Sequence, residues 1–202
     1  MVTVYHAPNT RSIRVLWVLE ELGVKAEIKS LPYPPRKLQP DYLSVNPTGL
    51  VPLLIDEDVR LTESMAICEY LAAKHDSSLM VGQGDPARPQ FLQWLWYGES
   101  TLMTPVGRVW TMSRFERKGA DVESLIAETR DNVASRLRAL EQRLEGRDFL
   151  VAGRLTLADV STWYPLYLVG LLGIDGLLGP CSAAYRKRLL SRPAYLRAIS
   201  AS

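Results

Sequence analysis

A chain of 202 residues, 47% hydrophobic and 23% charged, suits one large domain or two small ones and has an ordinary globular balance. Its 24 basic against 22 acidic residues leave a formal net charge of +2, which gives no footprint for nucleic acid or an anionic membrane surface. Two distant cysteines, Cys68 and Cys181, with no C-x-x-C pair and no secretory leader, point to a reducing, cytoplasmic setting, and two unclustered histidines give a zinc site no support.

Val2-Thr3-Val4-Tyr5 is a short β-branched and aromatic run that reads as a strand and stops at the turn Ala7-Pro8-Asn9-Thr10. A helix follows at once, with Val15, Val18, Leu19 and Leu22 on one face, Arg14 and Glu21 on another, and Gly23 as its stop. Residues 25–31 alternate weakly as a second strand, and the proline-rich stretch from Leu31 to Pro40 is a surface connection.

The run from Asn46 to Asp56, NPTGLVPLLID, gives a turn and an apolar strand opened by a proline. A second strand follows the Asp56-Glu57-Asp58 turn, and a helix begins near Ser64. The order strand, helix, strand, loop, strand, strand, helix predicts a parallel first pair and an antiparallel second pair. Pro52 lacks the N–H that a ladder needs, so it belongs at a strand start or an edge. A cis Val51-Pro52 bond turns the N–H and C=O of Val51 outward for a ligand. Thr62-Glu63-Ser64 adds a carboxylate, a hydroxyl and bare amide donors at a helix N-terminus, which favours an anion. Together these residues describe a site for something peptide-like with a carboxylate, although Pro52 or Ser64 taken singly reads as an edge proline or an ordinary N-cap.

Residues 76–89, with Gly82, Gly84, Pro86 and Pro89, are the one clear linker, and after it strand signals disappear. Asp85-Pro86 fits N-cap and N1 of a helix rich in aromatics, Phe91, Trp94, Trp96, Tyr97, Trp110 and Phe115, which Pro105 should kink. Asp121 to Glu145 carries Ile126, Val133, Leu137, Leu140 and Leu144 along one stripe, and Gly146 ends it. Thr156 with Asp159 at N3 is a capping box, Leu155 and Val160 hold the staple positions, and both belong to folding rather than chemistry. The apolar run 163–174 is broken by Pro165, Gly170 and Gly173 and is too short to span a membrane.

N-P-x-G-x-V-P followed by L-x-E-S-x-A-I-x-x-Y-L resembles the glutathione-binding half of cytosolic glutathione transferases of the bacterial, serine/threonine type, and the resemblance extends over essentially the whole chain. It implies an α+β fold: a thioredoxin-like βαβ-ββα domain over residues 1–76, a linker over 77–89 and an all-α helical-bundle domain over 90–202. It further implies glutathione as co-substrate on Leu50, Val51, Pro52, Glu63 and Ser64, a small electrophilic second substrate, and a homodimer.

An unperturbed thiol, with a pKa near ~8.5, is only slightly ionised at neutral pH, so such an enzyme needs a donor that stabilises the thiolate. In serine-type relatives the activating hydroxyl stands four residues before the arginine of the first helix, which counts back from Arg14 to Thr10. Ser12 is the rival hydroxyl, and Asn9 matches the activating serine of another branch; each of Asn9 and Thr10 reads equally as a helix cap. Tyr5 lies inside the strand and reads as packing. Leu50 stands where many relatives carry a lysine for the glycyl carboxylate, and Arg11, Arg36 and Lys37 are substitutes. The electrophile pocket is expected near Ala7 to Thr10 and Tyr97, Met103, Arg108, Trp110 and Met112, while Glu99 interrupts the apolar face of Leu92, Leu95 and Leu102. Glutathione-dependent disulfide or peroxide reduction, and a non-catalytic binding or regulatory protein, are the alternatives within the fold.

Overall fold

The computed structural model describes residues 1–114 and 120–200; Phe115 and Lys118 lie outside them. Two compact units emerge, residues 1–80 with 191–202, and residues 81–190.

The first unit is built on a four-stranded sheet in which the first strand in sequence lies between the second and the third, and the fourth flanks the third. Strand β1 (Val2–His6) alternates buried and half-buried residues, so Val2, Val4 and His6 share the inner face. It pairs in parallel with β2 (Ala26–Ser30), Val4 opposite Ile28. Helix α1 (Ser12–Leu22) makes the crossover and stops at Gly23, which takes φ +65, a conformation that costs glycine little. Strand β3 (Leu53–Asp56) runs antiparallel to β1 with Tyr5 opposite Leu53, and β4 (Val59–Leu61) antiparallel to β3 with Leu54 opposite Leu61. Helix α4 (Ser64–Lys74) then packs on α1. This is the thioredoxin-like layout, and the parallel and antiparallel pairs fall as the element order predicts.

Two short helices, α2 (Pro35–Leu38) and α3 (Tyr42–Val45), occupy the stretch read as a connection and just beyond it. Leu31, Tyr42 and Leu53 form a small apolar cluster with Tyr5 packed against it, ring centroids of Tyr5 and Tyr42 being 5.3 Å apart. Tyr5 is therefore part of the packing.

Every residue from Ser12 to Leu19 is buried, including Arg14, which had been placed on a polar face. The reason is a third neighbour. Besides β1 and α4, α1 carries the C-terminal helix α10 (Pro193–Ser200), with Trp17 edge-on to Tyr195 at 5.5 Å. Residues 191–202 thus belong to the first unit and not, as the span 90–202 had it, to the helical one.

All the regular secondary structure among the described residues of the second unit is helical. Helix α5 (Arg88–Trp96) starts later than Asp85-Pro86 suggested, because Asp85 accepts from the Ala87 N–H at 2.8 Å and closes a turn instead of a cap. A π-helical segment, Tyr97–Leu102, joins it to α6 (Met103–Arg114). Pro105 can donate nothing to the carbonyl of Thr101, so the departure from α geometry falls just upstream of it. Gly98 in that segment lies so close to α8 (Leu157–Leu171) that a Cβ would stand 2.6 Å from the Thr162 nitrogen.

Helix α7 (Ala120–Leu144) buries Val133, Leu137, Leu140 and Leu144 as its stripe requires. Asp159 is fully buried and accepts four hydrogen bonds, from Thr156 N and Oγ1, Leu150 N and the Tyr185 hydroxyl of α9 (Pro180–Leu190). It closes the capping box and also ties a loop and a second helix to the start of α8. No helix among the described residues is long and apolar enough to cross a membrane.

Candidate active site

Strand directions decide which loops meet. Tyr5, near the end of β1, lies opposite Leu53, the first residue of β3, and Leu54 lies opposite Leu61, the last residue of β4. The turn after β1, the loop before β3 and the start of α4 therefore leave the sheet at one end. This brings together Asn9, Thr10, Ser12, Leu50, Val51, Pro52, Glu63 and Ser64, the residues chosen from sequence.

The loop before β3 is fixed by Asn46, a buried side chain whose Nδ2 donates to the Leu50 carbonyl at 2.8 Å while its Oδ1 accepts from the Thr48 N–H and hydroxyl. The Tyr42 hydroxyl donates to the same carbonyl at 2.9 Å. Gly49 has φ +62, and a Cβ there would stand 2.5 Å from the Arg36 Cβ, so no other residue fits the turn without movement. Val51-Pro52 is cis, and Val51 stands before the first paired residue of β3. Leu50 turns its side chain to solvent.

Glu63 is exposed and held at φ +64, an uncommon conformation for a residue with a side chain. It precedes the first amides of α4, which have no partner within the helix and present donors to an anion. Ser64 differs from expectation. Its hydroxyl is buried and accepts from Arg14 Nη1 at 3.1 Å, so in this state it braces α1 against α4, and the backbone N–H is what Ser64 offers at the helix start.

At the start of α1 the three candidate donors separate by exposure. Asn9 is exposed with φ +58, Thr10 is 7% exposed, and Ser12 is 0% exposed. Thr10 Oγ1 donates to the Ala7 carbonyl at 2.7 Å and lies 2.6 Å from Ser12 Oγ. Ser12 Oγ is 2.7 Å from His6 Nδ1. Both residues are buried, and Thr10 is the less deeply buried of the two. His6 is completely buried, and desolvation holds its pKa down to about 4, leaving a neutral ring. Sequence reasoning considered His6 only as a metal ligand; its alternation with Val2 and Val4 was the signal that it faces the core.

Arg11, Arg36 and Lys37 are exposed. Of the residues offered for an electrophile pocket, Met103 is buried, Tyr97 donates its hydroxyl to the Arg136 carbonyl at 2.9 Å, Trp110 and Met112 are half-buried, and Arg108 is exposed. Glu99 is half-buried inside the π-helical segment, next to the buried Leu102. Among the described residues no group of three or more His, Cys, Asp or Glu side chains could hold a metal ion.

Comparison with known proteins gives a consistent family. The model described as "Glutathione S-transferase, N-terminal domain" matches residues 1–73, and "Glutathione S-transferase, C-terminal domain" matches 101–193. Glutathione S-transferase 2 of Schizosaccharomyces pombe is 30% identical over 94% of this chain and 90% of its own. A glutathione transferase structure from Methylococcus capsulatus superposes with a TM-score of 0.86 at 29% identity, covering 100% of this chain and 98% of that one. The glutathione transferase URE2P6 from Phanerochaete chrysosporium, in complex with oxidized glutathione, does so at 0.83 with 30% identity, covering 99% and 95%.

Proposed function

The chain belongs to the glutathione S-transferase family, and from that premise we propose that it binds glutathione at the sheet end just described and activates the thiol for attack on a small electrophile. The Val51 backbone pairs with the peptide-like part of glutathione, and the first amides of α4, with Glu63 beside them, take its γ-glutamyl end. The Thr10 hydroxyl donates to the sulfur and favours the thiolate, with the α1 N-terminus adding a fixed positive potential. The ionised sulfur then attacks the electrophile, forming a carbon–sulfur bond as the leaving group departs with its electron pair.

One observation carries this reading: the antiparallel pairings of β3 with β1 and β4 place the turn at Thr10, the Val51-Pro52 loop and the Glu63-Ser64 helix start at the same end of one sheet. The complex of URE2P6 with oxidized glutathione supports the choice of ligand. Leu50, exposed and apolar, leaves the glycyl carboxylate to Arg11, Arg36 or Lys37 or to solvent. The active unit is a homodimer.

Titration calorimetry with glutathione, followed by conjugation of an aryl halide, tests the proposal. Saturable binding and turnover are expected. An absence of heat at millimolar glutathione overturns it.

A further inference from the structure

Three short contacts run in series behind Thr10: His6 Nδ1 to Ser12 Oγ at 2.7 Å, Ser12 Oγ to Thr10 Oγ1 at 2.6 Å, and Thr10 Oγ1 to the Ala7 carbonyl at 2.7 Å. Each needs one hydrogen. The neutral ring and the two hydroxyls supply three only if the ring hydrogen sits on Nδ1. If it sits on Nε2, Ser12 must donate to the ring, Thr10 has one hydrogen for two contacts, and one oxygen pair is left at hydrogen-bond distance with nothing between.

The buried Nε2 atom points the same way, since it has no hydrogen-bond partner among the described residues. A bare acceptor there costs less often-seen strain on the fold than an orphaned buried N–H, which native structures rarely tolerate. Protonation of both nitrogens is disfavoured because burial holds the ring neutral at physiological pH.

We infer that His6, as its Nδ1–H tautomer, heads a one-way donor chain through Ser12 that makes Thr10 a hydrogen-bond donor, and not an acceptor, toward the sulfur of bound glutathione. Ser12 occupies a Thr10 lone pair with its own hydrogen. The Thr10 hydrogen, parked on the Ala7 carbonyl in the free protein, turns to the sulfur when the ligand arrives, while the thiol proton leaves to solvent. The direction matters: a hydroxyl that accepts from S–H stabilises the neutral thiol, whereas one that donates stabilises the thiolate. His6 and Ser12 are positioning residues, with Thr10 the group that touches substrate. The inference rests on the glutathione-binding reading above.

Two measurements on the full-length protein test it. Two-bond nitrogen–proton correlations of the imidazoles, with only His6 and His75 to assign, should show the His6 hydrogen on Nδ1. Thiolate absorbance of bound glutathione against pH should show the thiol pKa rising by about half to one unit in His6→Leu and Ser12→Ala, a roughly three- to ten-fold loss of thiolate at pH values below the bound thiol's pKa, where glutathione affinity should be unchanged. His6→Asn, which returns an N–H donor to the Nδ1 position, should restore the pKa. A hydrogen on Nε2, or an unchanged thiol pKa in both variants, overturns the donor chain even where glutathione binds. Loss of glutathione binding by the unaltered protein instead sinks the underlying reading and the chain's task with it. Should His6→Leu fail to fold, the ring spectrum and Ser12→Ala decide.

Discussion

Arg14 Nη1 donates to Ser64 Oγ at 3.1 Å, and the two residues, fifty positions apart, are both buried between α1 and α4. The serine that begins α4, where the proposed anion site lies, is thus also a structural acceptor. This leads to a measurable split between stability and binding.

Ser64→Ala removes this acceptor from a buried guanidinium N–H, and a hydrogen bond to a charged group is worth about 1.5 to 3 kcal/mol. The loss should appear in urea unfolding of the ligand-free protein. Were the hydroxyl directed at ligand alone, ligand-free stability would stay unchanged and only glutathione affinity would fall. Glutathione should still bind the alanine variant, because the backbone N–H of residue 64 remains at the helix start.

Glu21 governs the docking of the C-terminal segment. Burial raises its carboxyl pKa, but hydrogen bonds from Arg192 and Trp17 outweigh that and leave it below the ordinary 4.5. Arg192 grips both carboxylate oxygens, Nε to Oε1 at 2.7 Å and Nη2 to Oε2 at 2.9 Å. A depressed carboxylate pKa stabilises the fold above about 4.5 and loses that contribution as pH falls through the folded-state value. Glu21→Gln should therefore be less stable than the parent by about 1.5 kcal/mol near pH 7, and the gap should close in acid. Parallel unfolding curves at every pH would exclude this ion pair as a stabilising contact.

The secondary structure of the first unit was legible because its punctuation is local. Gly23 stops α1, Asn46 to Gly49 builds the turn, and Pro52 marks a strand entry; each acts through a neighbour a few residues away. The candidate site residues sit on those same turns, which is why sequence could offer them as candidates. What was missed depends on distant partners. Nothing near Arg14 announces Ser64, and the burial of its helix face comes from α10 at the far end of the chain. The close approach of Gly98 to Ser161 and Thr162 is likewise a contact that periodicity cannot encode. The His6–Ser12–Thr10 series depends on hydroxyl positions, so sequence could offer the three residues only as separate candidates.

Trp96 and Leu92 lie one helical turn apart on α5, 58% and 37% exposed. A large aromatic and a leucine on one exposed stripe are a suitable face for a second copy of the chain. The proposed homodimer should therefore be seen at micromolar concentration in sedimentation runs, and Trp96→Lys should shift it toward monomer without loss of helicity. A monomeric parent protein under those conditions removes the dimer from the proposed function.

Thr10 is the group on which the proposed chemistry turns. Thr10 is the less deeply buried of the two hydroxyl residues, 7% exposed against 0% for Ser12, whose hydroxyl lies 2.7 Å from His6 Nδ1. Thr10→Ala should raise the pKa of bound glutathione and lower kcat/KM near neutral pH, because a lost charge-assisted hydrogen bond of about 1.5 to 3 kcal/mol corresponds to roughly a ten- to hundred-fold rate loss when fully expressed in the thiolate. Glutathione affinity should change little, since Val51 and the α4 amides are untouched. Thr10→Ser keeps the donor and relaxes χ1, so it should retain or exceed the parent rate. At pH values well above the thiol's own pKa the alanine variant should recover, because ionisation no longer needs help there. A Thr10→Ala enzyme with full activity and an unaltered pH profile would move the role to Asn9, whose exposed amide is the remaining side-chain donor among the three, or to the backbone amides of α1; Asn9→Ala separates those two outcomes.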